Sequence, residues 1–213
     1  PGYAAVAILT LATGIAVSLT VFTWVDGMLI HPIAGASDQS RLAAIENAQP
    51  NGEYQATSYR DYRDFRDQMS TVSGIAATAQ AAFNLGKSGP DTGGEPQSVR
   101  RIWGEAVSPN YFDVLGVKPY RGRFFSRAEK SDVKGASPVA VISHALWRSE
   151  FNADPTLAGK TVLLNGNPVT IAGIAPPEFQ GATSGVAFQI WVPFNMAPQM
   201  NLAGANSLDD RGA

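Results

Sequence analysis

The chain has 213 residues, of which 45% are hydrophobic and only 16% charged, and its formal net charge is −2. That length gives one or two domains and enough chain for a real hydrophobic core, while the slight negative charge excludes a nucleic-acid binder that works through basic charge. Cysteine is absent, which removes disulfides, thiolate metal sites and cysteine nucleophiles.

The first element is the most distinctive. Between Tyr3 and Val25 there is no charge and no proline, and Asp26 and Asp38 are the only acidic or basic residues before Arg41. A helix over these residues is roughly 34 Å long at ~1.5 Å per residue, which matches a bilayer core of about 30 Å. Tyr3 stands at one end and Phe22 and Trp24 at the other, where interfacial aromatics belong. Thr10, Thr13, Ser18, Thr20 and Thr23 are mild polar groups that a neighbouring helix could satisfy. Ala12, Gly14, Ala16 and Ser18 supply small residues four apart and predict a helix-packing face.

Two other readings of this segment are open. Ala34-Gly35-Ala36 matches a signal-peptidase site, but no basic n-region is present and the apolar run is longer than a signal peptide's. A buried core helix is rarely charge-free over this length. A membrane span fits best. The flank after it is poor in Lys and Arg, as on a non-cytoplasmic side.

Further along, Leu42 to Ala48 predicts a short strand closed by the turn signal Gln49-Pro50-Asn51-Gly52. Ser58 to Met69 predicts a helix. Ser58 and Asp61 form a capping-box pattern, and Tyr59, Tyr62, Phe65 and Met69 fall on one arc, expected to lie on a sheet. The interleaved Arg60, Arg63, Arg66 and Asp61, Asp64, Asp67 predict a solvated ion-paired face in preference to a metal site. A strand pair or one long strand is predicted for Ser73–Leu85, single strands for Gln97–Val107, Pro138–Ile142 and Gln189–Pro193, and a loop for Lys87–Pro96. A short helix is predicted over Asn110–Leu115, stopped by Gly116, and another over His144–Phe151, capped by Ser143. Thr161 to Ile174 is a strand–turn–strand around Asn165-Gly166. Strands and short helices mix without strict alternation, so the fold class is α+β.

Catalytic patterns are weak. Ala81–Ser88 and Asp154–Thr161 imitate a phosphate loop, but Ala81 and Asp154 stand where its first glycine belongs, and no helix follows either stretch. Ser131 and Lys134 match S-x-x-K without the companion motifs, and His144 sits at a helix start where packing is the expected role. No cofactor or metal is expected, and the absence of a catalytic constellation points away from an enzyme.

Several stretches together resemble a known family. PGYAAVAILTLATGIAVSLTVFTWVDGMLIHP is similar to the first transmembrane helix of MacB/FtsX-type ABC-transporter permeases, closest to the acidobacterial duplicated orphan permeases. SYRDYRDFRDQMSTVSGIAA, VSPNYFDVLGVKPYRGRFFS, PVAVISHALWRSEFNADPTLAGKTVLLNGNPVTIAGIAPPEFQG and WVPF resemble the MacB-like periplasmic core domain. Pro109, Tyr111, Phe112, Gly116, Gly122 and Phe125 match the family pattern, with structural roles. Where relatives often read GIGANTAIF, this chain reads GIAVSLTVF and loses an Asn.

The resemblance implies a transmembrane helix over residues 1–30 in the bacterial inner membrane and a periplasmic core domain over 31–213. It implies a C-terminal truncation, because relatives continue past LDDRGA through the domain toward further helices. It implies a second permease protomer or half and a separate or fused ABC-type ATPase, with motion of the helices passed to the periplasmic domain and onward to a periplasmic partner protein. The alternatives are a single-pass anchored binding or sensor domain, and an anchored hydrolase using Ser131, Lys134 or His144.

Overall fold

The computed structural model describes residues 2–25, 33–45, 47–48, 54–55, 57–86, 99–126, 129, 133–183 and 185–202. Helix α1 (Gly2–Val25) is unbroken, as its lack of proline and charge dictates, and its span-length stretch has no residue buried against the rest of the chain. The predicted boundary at residue 30, the turn 49–52, the loop 87–96, His31, Ser131 and the C-terminal LDDRGA lie outside the described residues.

The domain contains a mixed sheet. Two short strands, β1 (Asn47–Ala48) and β2 (Tyr54–Gln55), pair with each other apart from it. The main strands are β3 (Thr78–Gly86), β4 (Val99–Val107), β5 (Arg121–Gly122), β6 (Val139–Ile142), β7 (Thr161–Leu164), β8 (Asn167–Ile174) and β9 (Ile190–Pro193). They run in the order β5-β8-β6-β9-β4-β3-β7. Strand β7 also pairs with β8, so β8-β6-β9-β4-β3-β7 close into a ring with β5 appended. Parallel pairs (β4–β9, β6–β8) mix with antiparallel ones, as the α+β reading requires.

Alternation along the strands builds two cores. Phe83, Leu85, Ile102, Ile142, Leu164 and Ile171 point to one face and are joined there by Leu146 and Trp147 of α4 (His144–Phe151). The opposite faces of β4, β6 and β9 carry Val107, Val141 and Trp191, covered by α3 (Tyr111–Leu115) and by Phe179 and Phe188 from the segment between β8 and β9. In this second core Phe112 stacks on Phe124 at 3.9 Å between ring centres and meets Phe125, Phe179 and Trp191 within 6 Å.

Local signals act as expected at several ends. Ser143 Oγ accepts from the Leu146 N–H at 3.1 Å and starts α4. Asn165 and Gly166 take φ of 49° and 78°, the left-handed pair a two-residue hairpin needs. Ser58 caps α2 (Tyr59–Gln68) by accepting from Asp61 N–H.

Two expectations need correction. The aromatic stripe of α2 is only half used. Tyr62 is buried and Tyr59 packs on Phe194 at 5.0 Å, but Phe65 and Met69 are 38% and 37% exposed. The element predicted from Ser73 becomes a strand only at Thr78, because residues 75–77 run to α3, where Asn110 Nδ2 bonds Ile75 O and Ser108 bonds both polar groups of the Ala77 backbone.

Candidate functional site

Helix α1 carries the residues predicted for partner contact, and its geometry divides them. At 100° per residue Gly14 stands about 200° from Ala12, so Ala12 and Ala16 share one side and Gly14 and Ser18 share nearly the opposite one. Gly14 and Ser18 floor a groove walled by Thr10, Ile15, Leu19 and Phe22. The four small residues therefore do not form a single face.

The threonines also behave differently from the expectation that a neighbour satisfies them. Thr13, Thr20 and Thr23 each donate to the carbonyl four residues back, at 2.8 Å, and Thr10 donates to Val6 O and Ala7 O. Their polarity is consumed within the helix, which lowers the cost of placing them in hydrocarbon.

The segment after α1 is fastened to the domain. Ser37 N–H bonds Leu115 O and Ser37 Oγ bonds Gly116 O, both at 3.0 Å. Gln39 folds back onto Ile33, donating from Nε2 to its carbonyl at 2.7 Å. Ile33, Ala36 and Leu42 pack against the second core. Gly116, predicted only as a helix stop, has φ of 65°, and a methyl there would come 2.8 Å from Ser37 Cβ. Its lack of a side chain both ends α3 and admits the linker.

Beneath this region is a group that sequence reasoning missed. Glu105 is fully buried on the outer face of β4. Thr78 Oγ1 donates to its Oε1 at 2.8 Å, while Trp191 Nε1 and Tyr111 OH donate to Oε2 at 2.8 and 3.1 Å. The Tyr111 hydroxyl in turn accepts from Ala182 N–H at 3.0 Å. Burial pushes the Glu105 carboxyl up, against the three hydrogen bonds that favour its charged form. Burial and then the Glu105 charge push the Tyr111 phenol well above its ordinary value. Gly181, at φ of 115°, passes over the carboxylate where a Cβ would be 2.5 Å from Phe188 and 3.2 Å from Glu105 Oε2. The signal was present as a lone acid among apolar residues in Trp103-Gly104-Glu105-Ala106-Val107, on the same alternation as Trp103 and Val107.

Nothing among the described residues assembles the chemistry of the hydrolase alternative. His144 packs edge-on against Tyr120 at 5.0 Å and lies 5.3 Å from Trp147. Lys160, in the phosphate-loop imitation, is bound to Asp154 at 2.6 Å. That lysine, together with Thr156, brings the Asp154 carboxyl down to about 2. A strand follows immediately, at Thr161. Among the described residues no cluster of His, Asp and Glu is arranged to hold a metal ion.

Over 88 residues, 41% of this chain, the sequence is 31% identical to the macrolide export ATP-binding/permease protein MacB of Neisseria gonorrhoeae. Over 103 residues, 48% of the chain, it is 31% identical to a probable export ATP-binding/permease protein of Pseudomonas fluorescens. The matched stretches amount to 13% and 15% of the length of those proteins. Among solved structures, the periplasmic region of MacB from Actinobacillus actinomycetemcomitans aligns with TM-score 0.48 and 18% identity, covering 78% of this chain and 65% of that one. The extracellular domain of the noncanonic ABC-type transporter YknZ from Gram-positive bacteria aligns with TM-score 0.49 and 18% identity, covering 78% and 73%. With α1 ahead of such a domain, the chain reads as membrane-anchored with an extracytoplasmic domain. The model of the MacB-like periplasmic core domain matches residues 4–210, and the chain belongs to that family.

Proposed function

We propose that the chain is part of an ABC-transporter permease subunit of the bacterial inner membrane, in which α1 and the extracytoplasmic domain couple ATPase-driven motion to transport or efflux. The observation that carries this reading is the docked linker. Ser37 bonds both Leu115 and Gly116, so displacement of the chain beyond the span pulls on α3 and the second core. A plain tether for a sensor domain needs no such fastening.

In this reading the partners are an ABC-type ATPase subunit, a second permease protomer or half, the lipid bilayer and a periplasmic protein. The groove of Gly14 and Ser18 seats a neighbouring helix, with Ala12 and Ala16 facing a different neighbour or lipid. The span ends near residue 30 and the domain occupies the rest.

The chain has no cysteine, so single and paired cysteines report cleanly. Ser37→Cys with Asp113→Cys, in the membrane-embedded permease with its ATPase, tests the coupling. Disulfide yield between the two is expected to change at least threefold between ATP-bound and vanadate-trapped states. An unchanged yield, or a chain that alkaline carbonate releases from membranes, overturns the reading.

A further inference from the structure

Strand β3 is paired along its whole length on one side and along only part of the other. Antiparallel β4 covers Thr78 to Gly86, whereas β7 reaches only Leu85 and Gly86. Asn165 extends that second side by one residue, donating its N–H to Asn84 O at 2.9 Å and accepting from Asn84 N–H at 2.7 Å. The alternation of an antiparallel pair then turns the N–H and C=O groups of Thr78, Gln80 and Ala82 the same way, away from β4. Among the described residues nothing meets them, and Thr78, Ala79 and Gln80 are exposed. The stretch TAQAA contains no charge and no proline, the residues that ordinarily blunt an open edge.

The outer face beside this edge is also unfinished. Trp103 lies across from Ala82 and is 56% exposed, because alanine is too small to cover it. Arg101 lies across from Asn84 and makes no ion pair among the described residues. Both border the end of the edge, where Ala82, Asn84, Arg101 and Asn165 line a hollow of about 610 Å³.

We infer that β3 is an acceptor edge for an extended strand of a partner protein. That strand would pair with Thr78–Ala82, lay an apolar side chain over Ala82 against Trp103, and carry an acidic residue toward Arg101. A backbone-paired strand is the occupant because the free groups are a row of peptide donors and acceptors about 17 Å long at ~3.4 Å per residue. A second copy of the chain fits less well. Edge-to-edge pairing would offer Trp103 and Arg101 only Thr78, Gln80 and Ala82, which include neither an acid nor a large apolar group. This inference stands on the sheet geometry and is independent of ATPase coupling.

The test uses the whole chain in detergent and an acetylated octapeptide of alternating valine and threonine ending in two glutamates. A lysine-ended version is the control. The glutamate peptide is expected to bind at least tenfold more tightly than the lysine peptide and to slow amide exchange at Gln80 and Ala82 at least tenfold. Ala82→Pro removes only an N–H that faces away from β4, so it is expected to abolish binding with Tm unchanged. If Ala82→Pro lowers Tm, Trp103→Ser is read in its place, with a tenfold loss expected. Unaltered exchange at Gln80 and Ala82, or equal binding of the two peptides, overturns the inference. So does a chain that is dimeric alone and becomes monomeric with Ala82→Pro, which would make a second copy the occupant.

Discussion

Ser37 and Gly116 are in direct contact: the serine hydroxyl donates to the glycine carbonyl at 3.0 Å, and a methyl on Gly116 would stand 2.8 Å from Ser37 Cβ. The left-handed backbone of Gly116 and the seat of the linker are one feature. Gly116→Ala combines an unfavourable φ with this clash and is expected to destabilise the domain by about 1–3 kcal/mol. Ser37→Ala removes only the hydroxyl bond, at about 1 kcal/mol. Limited proteolysis of residues 33–42 in the two variants checks the order, with Gly116→Ala cut faster.

Glu105 gives a chemical test of its own. Glu105→Gln keeps an oxygen for Trp191 and Tyr111 and turns an amide toward Thr78, so it should fold with little loss. Glu105→Ala leaves a buried indole N–H without its acceptor and is expected to cost about 2–4 kcal/mol. The pH response has a definite sign. A carboxyl whose folded pKa is raised contributes stability that is fully present below its unfolded pKa and lost as pH rises through the folded value. This contribution therefore grows on acidification from neutrality toward about pH 4–5. Thermal unfolding of the native chain and Glu105→Gln at pH 7 and 5 measures it, with the native chain gaining stability relative to Glu105→Gln at pH 5.

Glu129 has the opposite sign. Burial would raise its carboxyl, but Arg123 at 2.9 Å and the hydroxyl and N–H of Ser126 outweigh burial and bring it down to about 2. The stability it supplies is present above the ordinary glutamate value and is lost as pH falls toward 2. Glu129→Gln should be less stable at pH 7 and equal to the native chain by about pH 2. Acid titration followed by near-UV circular dichroism resolves the difference.

The span yields a positional prediction. Gly14→Leu fills the groove between Thr10 and Ser18, whereas Ala12→Leu adds bulk on nearly the opposite side. Both should remain in the carbonate pellet. Cross-linking of the permease through α1 is expected to fall at least fivefold for Gly14→Leu, and equal effects would show that the groove is not the contact.

Much of the domain was legible in sequence because its signals are local. Asn165-Gly166, the Ser58 and Ser143 caps and the compact apolar run of β6 each act within a few residues. The closure of β7 onto β3 was not legible, since it depends on two pairs across some eighty residues. Nor was the exposure of Phe65 and Met69, because periodicity marks which residues share a side but not whether anything lies opposite. The division of Ala12–Ser18 was not legible either, since each pair is four residues apart while the two pairs stand about 160° from one another around the helix. Glu105 was visible as an anomaly, but its partners come from three separate strands and helices and no short motif joins them.

The back-bonded threonines of α1 have a kinetic consequence. Since Thr10, Thr13, Thr20 and Thr23 each bond to their own helix, axial rotation or vertical sliding of α1 in lipid breaks no side-chain hydrogen bond. Rotation is then resisted chiefly by the relief around Gly14 and Phe22, while sliding also has to move Tyr3 and Trp24 off the interfaces. The helix is in effect a bearing with its own lubrication, smooth to slip and shaped to catch at one azimuth.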